Sequence, residues 1–211
     1  AQHCLNSLLQ GDYYSAIDLA NIANELDTIE RSFLSSNNET GNINNPSHES
    51  SNYDDTGFFS IQVLQHALKS WNLELIPFSS QSEIAINARD NPIEQRAYIC
   101  NFRHHWYTIR RIGNYWFNLN SLLSRPELIS DTHLNILLYQ LINDGYSIFI
   151  VHGELPRSQA DNELNNIILN TKEILNAQSK RTKNNRVNSE DSNNPDFEEE
   201  LKKAIRLSLL E

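Results

Sequence analysis

His105-Trp106-Tyr107-Thr108-Ile109-Arg110-Arg111-Ile112-Gly113-Asn114-Tyr115-Trp116-Phe117-Asn118-Leu119-Asn120 reads as two strands folded about Gly113-Asn114. Aromatic and β-branched residues fill both runs, and Gly-Asn suits a tight two-residue turn. Such a turn sets the register: Ile112 faces Tyr115, Thr108 faces Leu119 and Tyr107 faces Asn120. Side chains alternate along a strand, so His105 shares a face with Tyr107 and becomes the diagonal neighbour of Asn120. Diagonal positions of an antiparallel pair lie roughly 7–8 Å apart at the backbone, within reach of an imidazole and a carboxamide leaning together. His104 falls on the opposite face with Trp106, beyond the reach of Asn120.

An imidazole oriented by a side-chain oxygen can be the acid-base half of a thiol hydrolase. The ring takes the proton of the nucleophile and returns it to the leaving amine. Spacing alone also suits a blander arrangement, in which His105 is a hydrogen-bonded strand histidine and Asn120 merely ends its strand.

Outward from the hairpin, further strands are expected at 97–102, 73–78 and 147–151, and a helix at 130–144 that Ser130 caps and Gly145 stops. Earlier in the chain, Ile17, Ala20, Ile22, Ala23 and Leu26 mark the buried side of a helix over 15–34. Phe59, Val63, Ala67 and Trp71 form an i, i+4 stripe on another that starts near Thr56 and ends near Asn72. Helices cluster in the first part and strands in the second, which favours an α+β layout over alternating βαβ units. The Asn-, Ser- and Glu-rich stretch 35–55 cannot bury enough apolar surface to offset chain entropy and reads as a mobile excursion. One domain over 1–170 is expected, then a solvated linker over 171–195 and a short helix over 196–211.

The net charge of -10, from 17 Lys and Arg against 27 Asp and Glu, would be repelled by nucleic acid and by anionic membranes. Proteins are the expected partners. No apolar run reaches bilayer length and no signal-peptide pattern opens the chain, so a soluble, intracellular monomer with reduced thiols is expected. The two cysteines, Cys4 and Cys100, make no Cys-x-x-Cys pair, and neither structural zinc nor a disulfide framework is expected.

Ala1, Cys4, Leu5, Leu8 and Leu9 form an amphipathic helix with Gly11 as its stop. The pattern is already running at residue 1 without a capping residue, and the chain contains no Met, so residues upstream of Ala1 are expected. Thiolates are favoured at a helix N-terminus, but Cys4 lies a full turn inside this one. Cys100, in an apolar strand, reads as structural.

The run 1–11 (AQHCLNSLLQG), the block 55–63 (DTGFFSIQV), His105-Trp106-Tyr107-Thr108 and Trp116-Phe117-Asn118-Leu119-Asn120-Ser121-Leu122-Leu123 together resemble the Josephin domain family. Glu127-Leu128-Ile129-Ser130-Asp131-Thr132 and Gly145-Tyr146-Ser147-Ile148-Phe149 continue the resemblance, which covers residues 1 to about 165. It implies a papain-like cysteine protease fold, with helices packed on an antiparallel sheet, and a cofactor-free deubiquitinase that trims ubiquitin chains. In that pattern His105 is the general base and Asn120 orients it. The catalytic cysteine immediately precedes the residue matched by Ala1, with an oxyanion-hole glutamine slightly further upstream, and Cys4 matches a second, non-catalytic cysteine. The chain as it stands is therefore expected to be inactive, and the rival reading is a non-catalytic ubiquitin-binding adaptor.

The resemblance further implies that Ile61, Gln62 and Trp71 form one ubiquitin contact near the cleft and that Tyr13 and Tyr14 contribute to a second. Ile61 and Trp71 equally suit a core role. The tail carries a stripe of Leu201, Ala204, Ile205, Ser208 and Leu209, with a notch at the small Ala204 and Ser208. It resembles a ubiquitin-interacting motif, against the alternative of a frayed surface helix. Ubiquitin, polyubiquitin and ubiquitinated proteins are the implied partners, and nucleus and cytoplasm the implied location.

Overall fold

The structure, a computed structural model, describes residues 1–36, 50–54 and 57–166. Three helices come first: α1 (Gln2–Leu9), α2 (Ala16–Ser36) and α3 (Ile61–Lys69). There follow β1 (Glu74–Pro77), α4 (Glu83–Asp90), a 3-10 turn (Pro92–Glu94), β2 (Ala97–Phe102), β3 (His105–Ile112) and β4 (Tyr115–Leu119). The described chain ends with β5 (Glu127–Ile129), α5 (Asp131–Asn143), β6 (Ser147–His152) and α6 (Gln159–Asn166). The strands build one sheet in the order β1-β6-β2-β3-β4-β5, antiparallel at every pairing. This is the expected α+β, papain-like arrangement of helices on an antiparallel sheet.

Alternation along the strands divides the core in two. On one face Leu75, Ala97, Ile99, Trp106 and Val151 pack against Cys4, Leu5, Leu8 and Leu9 of α1, Leu19 and Ala23 of α2, and Val63, Leu64, Ala67 and Leu68 of α3. On the other, Tyr98, Cys100, Tyr107, Ile109, Trp116, Ile148 and Ile150 pack against Ala85 and Ala88 of α4 and Leu134, Leu138 and Leu141 of α5. The central pairing has the anticipated register, Thr108 opposite Leu119 and Ile112 opposite Tyr115. A second two-residue turn, Arg103-His104, joins β2 to β3 by placing Phe102 opposite His105. Arg103 takes a left-handed φ of 55° to make it, which starts β3 at His105.

Local chemistry explains the ends of the helices. Ser15 and Asp18 cap α2 reciprocally: the Asp18 N–H donates to Ser15 Oγ at 3.2 Å and the Ser15 N–H to Asp18 Oδ2 at 2.8 Å. Ser130 Oγ accepts from the His133 N–H and caps α5. At α1 the left-handed residue is Gln10, with φ 59°, rather than the expected Gly11, whose N–H closes onto Asn6 O. The helix expected from Thr56 begins only at Ile61, because Ser60 caps it, and it stops at Lys69, ahead of Trp71.

Parts of the stretch 35–55, read from composition as a mobile excursion, are ordered. Residues 35 and 36 continue α2, and 50–54 are packed: Asn52 is buried and donates to Asp27 Oδ1 at 2.7 Å while its own Oδ1 accepts from Ser60 Oγ at 2.7 Å. These bonds tie α2 to the start of α3. Residues 37–49 and 55 of that stretch lie outside the described residues, as do residue 56, the expected linker and the tail helix with Leu201, Ala204, Ile205 and Ser208.

Candidate active site

His105 opens β3 at the end of the sheet, and Asn120 follows the last residue of β4. The diagonal relationship becomes contact: His105 Nε2 and Asn120 Oδ1 are 2.7 Å apart. Asn120 Oδ1 also accepts the Leu122 N–H at 3.0 Å, which fixes the amide with its oxygen toward the imidazole. A carboxamide oxygen only accepts, so Nε2 carries the hydrogen and donates it. The lone pair of the neutral ring is then on Nδ1. Asn118 Oδ1 holds the Asn120 N–H at 3.2 Å and supports this turn from behind. On the other side the His105 ring stacks on Tyr107, with centroids 5.8 Å apart.

Half-burial lowers the affinity of His105 for a second proton. Desolvation is the main cause, and the bond to Asn120 works against it. Strand-to-helix bonds place the start of α1. Thr108 Oγ donates to Cys4 O at 2.8 Å, and Arg110 further along β3 donates to Leu8 O. α1 therefore runs parallel to β3, with its N-terminal end toward His105.

His104 is exposed in the turn, its ring edge-on to Phe58 at 4.9 Å, and Phe58 stacks over Trp106 at 6.3 Å. It joins the aromatic wall on the Trp106 side, away from Asn120. Trp106 donates its indole N–H to Phe59 O at 3.0 Å, which anchors the loop before α3 to the same wall.

Neither cysteine is available as a nucleophile. Cys4 is buried, and its thiol meets Thr108 Oγ at 3.3 Å; burial pushes its pKa up to about 11, against the opposing effect of that bond. Cys100, in β2, is wholly buried and held far above the ordinary thiol range by desolvation. Among the described residues no cluster of His, Cys, Asp or Glu could hold a metal ion, and no helix is long and apolar enough to cross a membrane.

The residues matched to ubiquitin contacts surround one feature. Trp71 donates its indole N–H to the Tyr14 hydroxyl at 3.2 Å, and Tyr13 packs edge-on against Trp71 with centroids 4.6 Å apart. Gly11 is needed beneath them, since a Cβ there would lie 2.6 Å from the Tyr13 ring. Tyr13, Tyr14 and Trp71 thus form a single cluster at the junction of α2 and α3. Ile61 is half-buried against the core and Gln62 is exposed on the first turn of α3. The sequence offered one unused sign of this site's support, the charged Arg110 within an apolar strand.

Comparison with known proteins agrees with this geometry. The Josephin family model matches residues 1–152. Ataxin-3 of Homo sapiens is 51% identical over 166 residues, which cover 76% of this chain and 45% of that protein. The ataxin-3-like protein of Homo sapiens is 41% identical over 99% of this chain and 62% of its own length. An ataxin-3 homolog of Arabidopsis thaliana is 35% identical over the whole of this chain and 85% of its own length. The chain spans about half the length of the ataxin-3 proteins it matches. A helical face on a six-stranded antiparallel sheet, the paired His105 and Asn120, and these matches place the chain in the Josephin family, a family of cysteine-protease deubiquitinases.

Proposed function

We propose that the protein hydrolyses the isopeptide bond after the C-terminus of ubiquitin and trims ubiquitin chains, with His105 as general base and acid and Asn120 as its orienting partner. The supporting observation is the 2.7 Å bond between His105 Nε2 and Asn120 Oδ1 at the end of β3 beside which α1 begins. With Nε2–H committed to Asn120, Nδ1 takes the thiol proton from a cysteine carried by the residue joined to Ala1. The thiolate attacks the carbonyl carbon, Nδ1–H returns the proton to the departing lysine amine, and water then hydrolyses the thioester. Holding the imidazole neutral keeps it ready as a base near pH 7.

The cluster of Tyr13, Tyr14 and Trp71 supports ubiquitin binding independently of the chemistry, because such amphipathic rings are favoured anchors in protein interfaces. Binding by the tail motif, and nuclear and cytoplasmic residence, belong to the same proposal and rest on resemblance.

The test uses the full-length protein and an electrophilic ubiquitin probe that captures an active-site thiol. A covalent adduct is expected at the cysteine before Ala1, formed about 10²- to 10⁴-fold more slowly in His105→Ala. Labelling unchanged by His105→Ala overturns the catalytic assignment. A native protein without that cysteine leaves ubiquitin binding by the aromatic cluster as the function.

A further inference from the structure

α1 is fastened to β3 by two side chains that reach from the strand to main-chain carbonyls of the helix. Thr108 holds Cys4 O and Arg110 holds Leu8 O. Four residues of helix advance about 6 Å and two of strand about 6.6 Å, so the two bonds fit parallel axes and fix the helix along the strand. α1 ends at Leu9, which leaves Leu8 O without a partner inside the helix, and its last turn has no basic residue. Arg110 supplies both the missing donor and the cation that complements the negative end of the helix dipole.

Arg110 is 2% exposed and is itself held from the other side. Nη2 donates to Pro156 O at 2.9 Å and pairs with Asp161 Oδ2 at 3.1 Å. Asp161 sits in the first turn of α6, where Ser158 donates to it from both its N–H (2.8 Å) and its Oγ (2.7 Å), and accepts the Asp161 N–H at 3.1 Å. The other carboxylate oxygen accepts the Gly113 N–H at 3.0 Å, from the turn between β3 and β4. Burial works to raise the Asp161 pKa, but these bonds together with Arg110 hold it below the ordinary carboxylate range. The carboxylate therefore remains charged at neutral pH and joins α6, the hairpin turn and Arg110. A buried ion pair is a weak source of net stability, and what this one settles is where α1 lies.

We propose that Arg110 and Asp161 are positioning residues for catalysis: α6 fixes Arg110, Arg110 fixes α1, and the N-terminal end of α1 is thereby held at working distance from His105. This rests on the proposed role of His105. The strap acts from afar, since five residues of β3 span roughly 17 Å. A displacement of about 1 Å at a reacting centre can cost 10²-fold in rate, so loosening the far end of α1 reaches the chemistry without unfolding the domain.

The full-length protein with the cysteine before Ala1 provides the test. Asp161→Asn keeps the shape and one of the two acceptor oxygens, so the bonds from Ser158 can stay while that from Gly113 is lost, and it removes the charge that orients Arg110. Arg110→Lys keeps a cation but loses the fork that spans Leu8 and Asp161. Each is assayed for kcat and KM on a ubiquitin amide and for the pH dependence of alkylation by iodoacetamide. Cys4 and Cys100 are buried and do not compete for the reagent, and alkylation is read by mass spectrometry on the peptide that holds the nucleophile. Both variants are expected to lose about ten-fold or more in kcat with KM within a factor of two. Their alkylation profiles are expected to shift to higher pH, as the thiol loses its imidazole. Wild-type kcat and alkylation profiles in both variants overturn the inference, even if the melting temperature falls. If His105→Ala keeps full activity, the catalytic reading itself fails and takes the inference with it; if His105→Ala is inactive while the two strap variants are not, only the inference fails.

Discussion

The Tyr14 hydroxyl is the seat of Trp71: it accepts the indole N–H at 3.2 Å and donates its own hydrogen to Ala67 O at 2.6 Å, inside α3. Tyr13, half-exposed, closes on the same indole. One side chain therefore serves both groups of residues matched to ubiquitin contacts. Trp71→Ala is expected to weaken binding at both together, each Kd rising about ten-fold or more in a titration of labelled ubiquitin, as for a buried interface anchor. Loss confined to the Ile61 and Gln62 side would contradict a shared cluster. Tyr14→Phe leaves the half-buried indole N–H without its acceptor and should cost about 1 kcal/mol in denaturant unfolding.

His105 makes stability depend on pH in a predictable direction. Its pKa is lower folded than unfolded, because burial disfavours the imidazolium. The unfolded chain then binds more protons, so the stability tied to neutral His105 is complete above about pH 6.5 and is lost as pH falls below it, until the folded ring also protonates. Urea midpoints for the wild type and His105→Gln should converge on acidification from pH 7 to pH 5. Parallel curves across that range would show that His105 titrates as an exposed histidine.

Much of the site was legible because its determinants are local. β2, β3 and β4 have the expected limits, since unbroken aromatic and β-branched runs meet at two-residue turns that tolerate no slip in register. What composition hid is held by distant partners. Asn52 lies in a stretch that looks fully solvated, and only Asp27 and Ser60 bury it. α6 reads as QADNELNN, with no apolar stripe, and depends on Ser158, Arg110 and Gly113 for its place. α4 buries only Ala85 and Ala88, and β5 has three residues, too few for either to stand out by periodicity. Trp71 lies more than fifty positions from Tyr13 and Tyr14 in sequence and meets them only because α2 packs on α3.

The described cysteines should be silent toward thiol reagents until the domain unfolds. Cys4 is 1% exposed with a pKa of about 11, and Cys100 is fully buried. A reagent such as DTNB is expected to modify neither in the folded 211-residue chain at pH 8, and both on addition of denaturant. Stoichiometric labelling of Cys4 under native conditions would mean that α1 separates readily from β3, and that the bonds from Thr108 do not hold it.

The turn at Gly113 should tolerate no side chain, for two separate reasons. Its φ of 57° is left-handed, and a Cβ would stand 2.9 Å from Leu164 Cβ and 3.0 Å from the Asn165 backbone nitrogen. Neither neighbour is the free end of a flexible side chain, so Gly113→Ala must push α6 off the hairpin or distort the turn. Backbone strain of this kind costs about 1–3 kcal/mol, a loss that thermal unfolding resolves. The displaced α6 carries Asp161 with it, so the same substitution should release Arg110 and raise hydrogen exchange at the last turn of α1. A destabilised variant whose α1 amides stay as protected as in the wild type would place the effect in the turn alone. A wild-type melting temperature would show that α6 does not rest on Gly113.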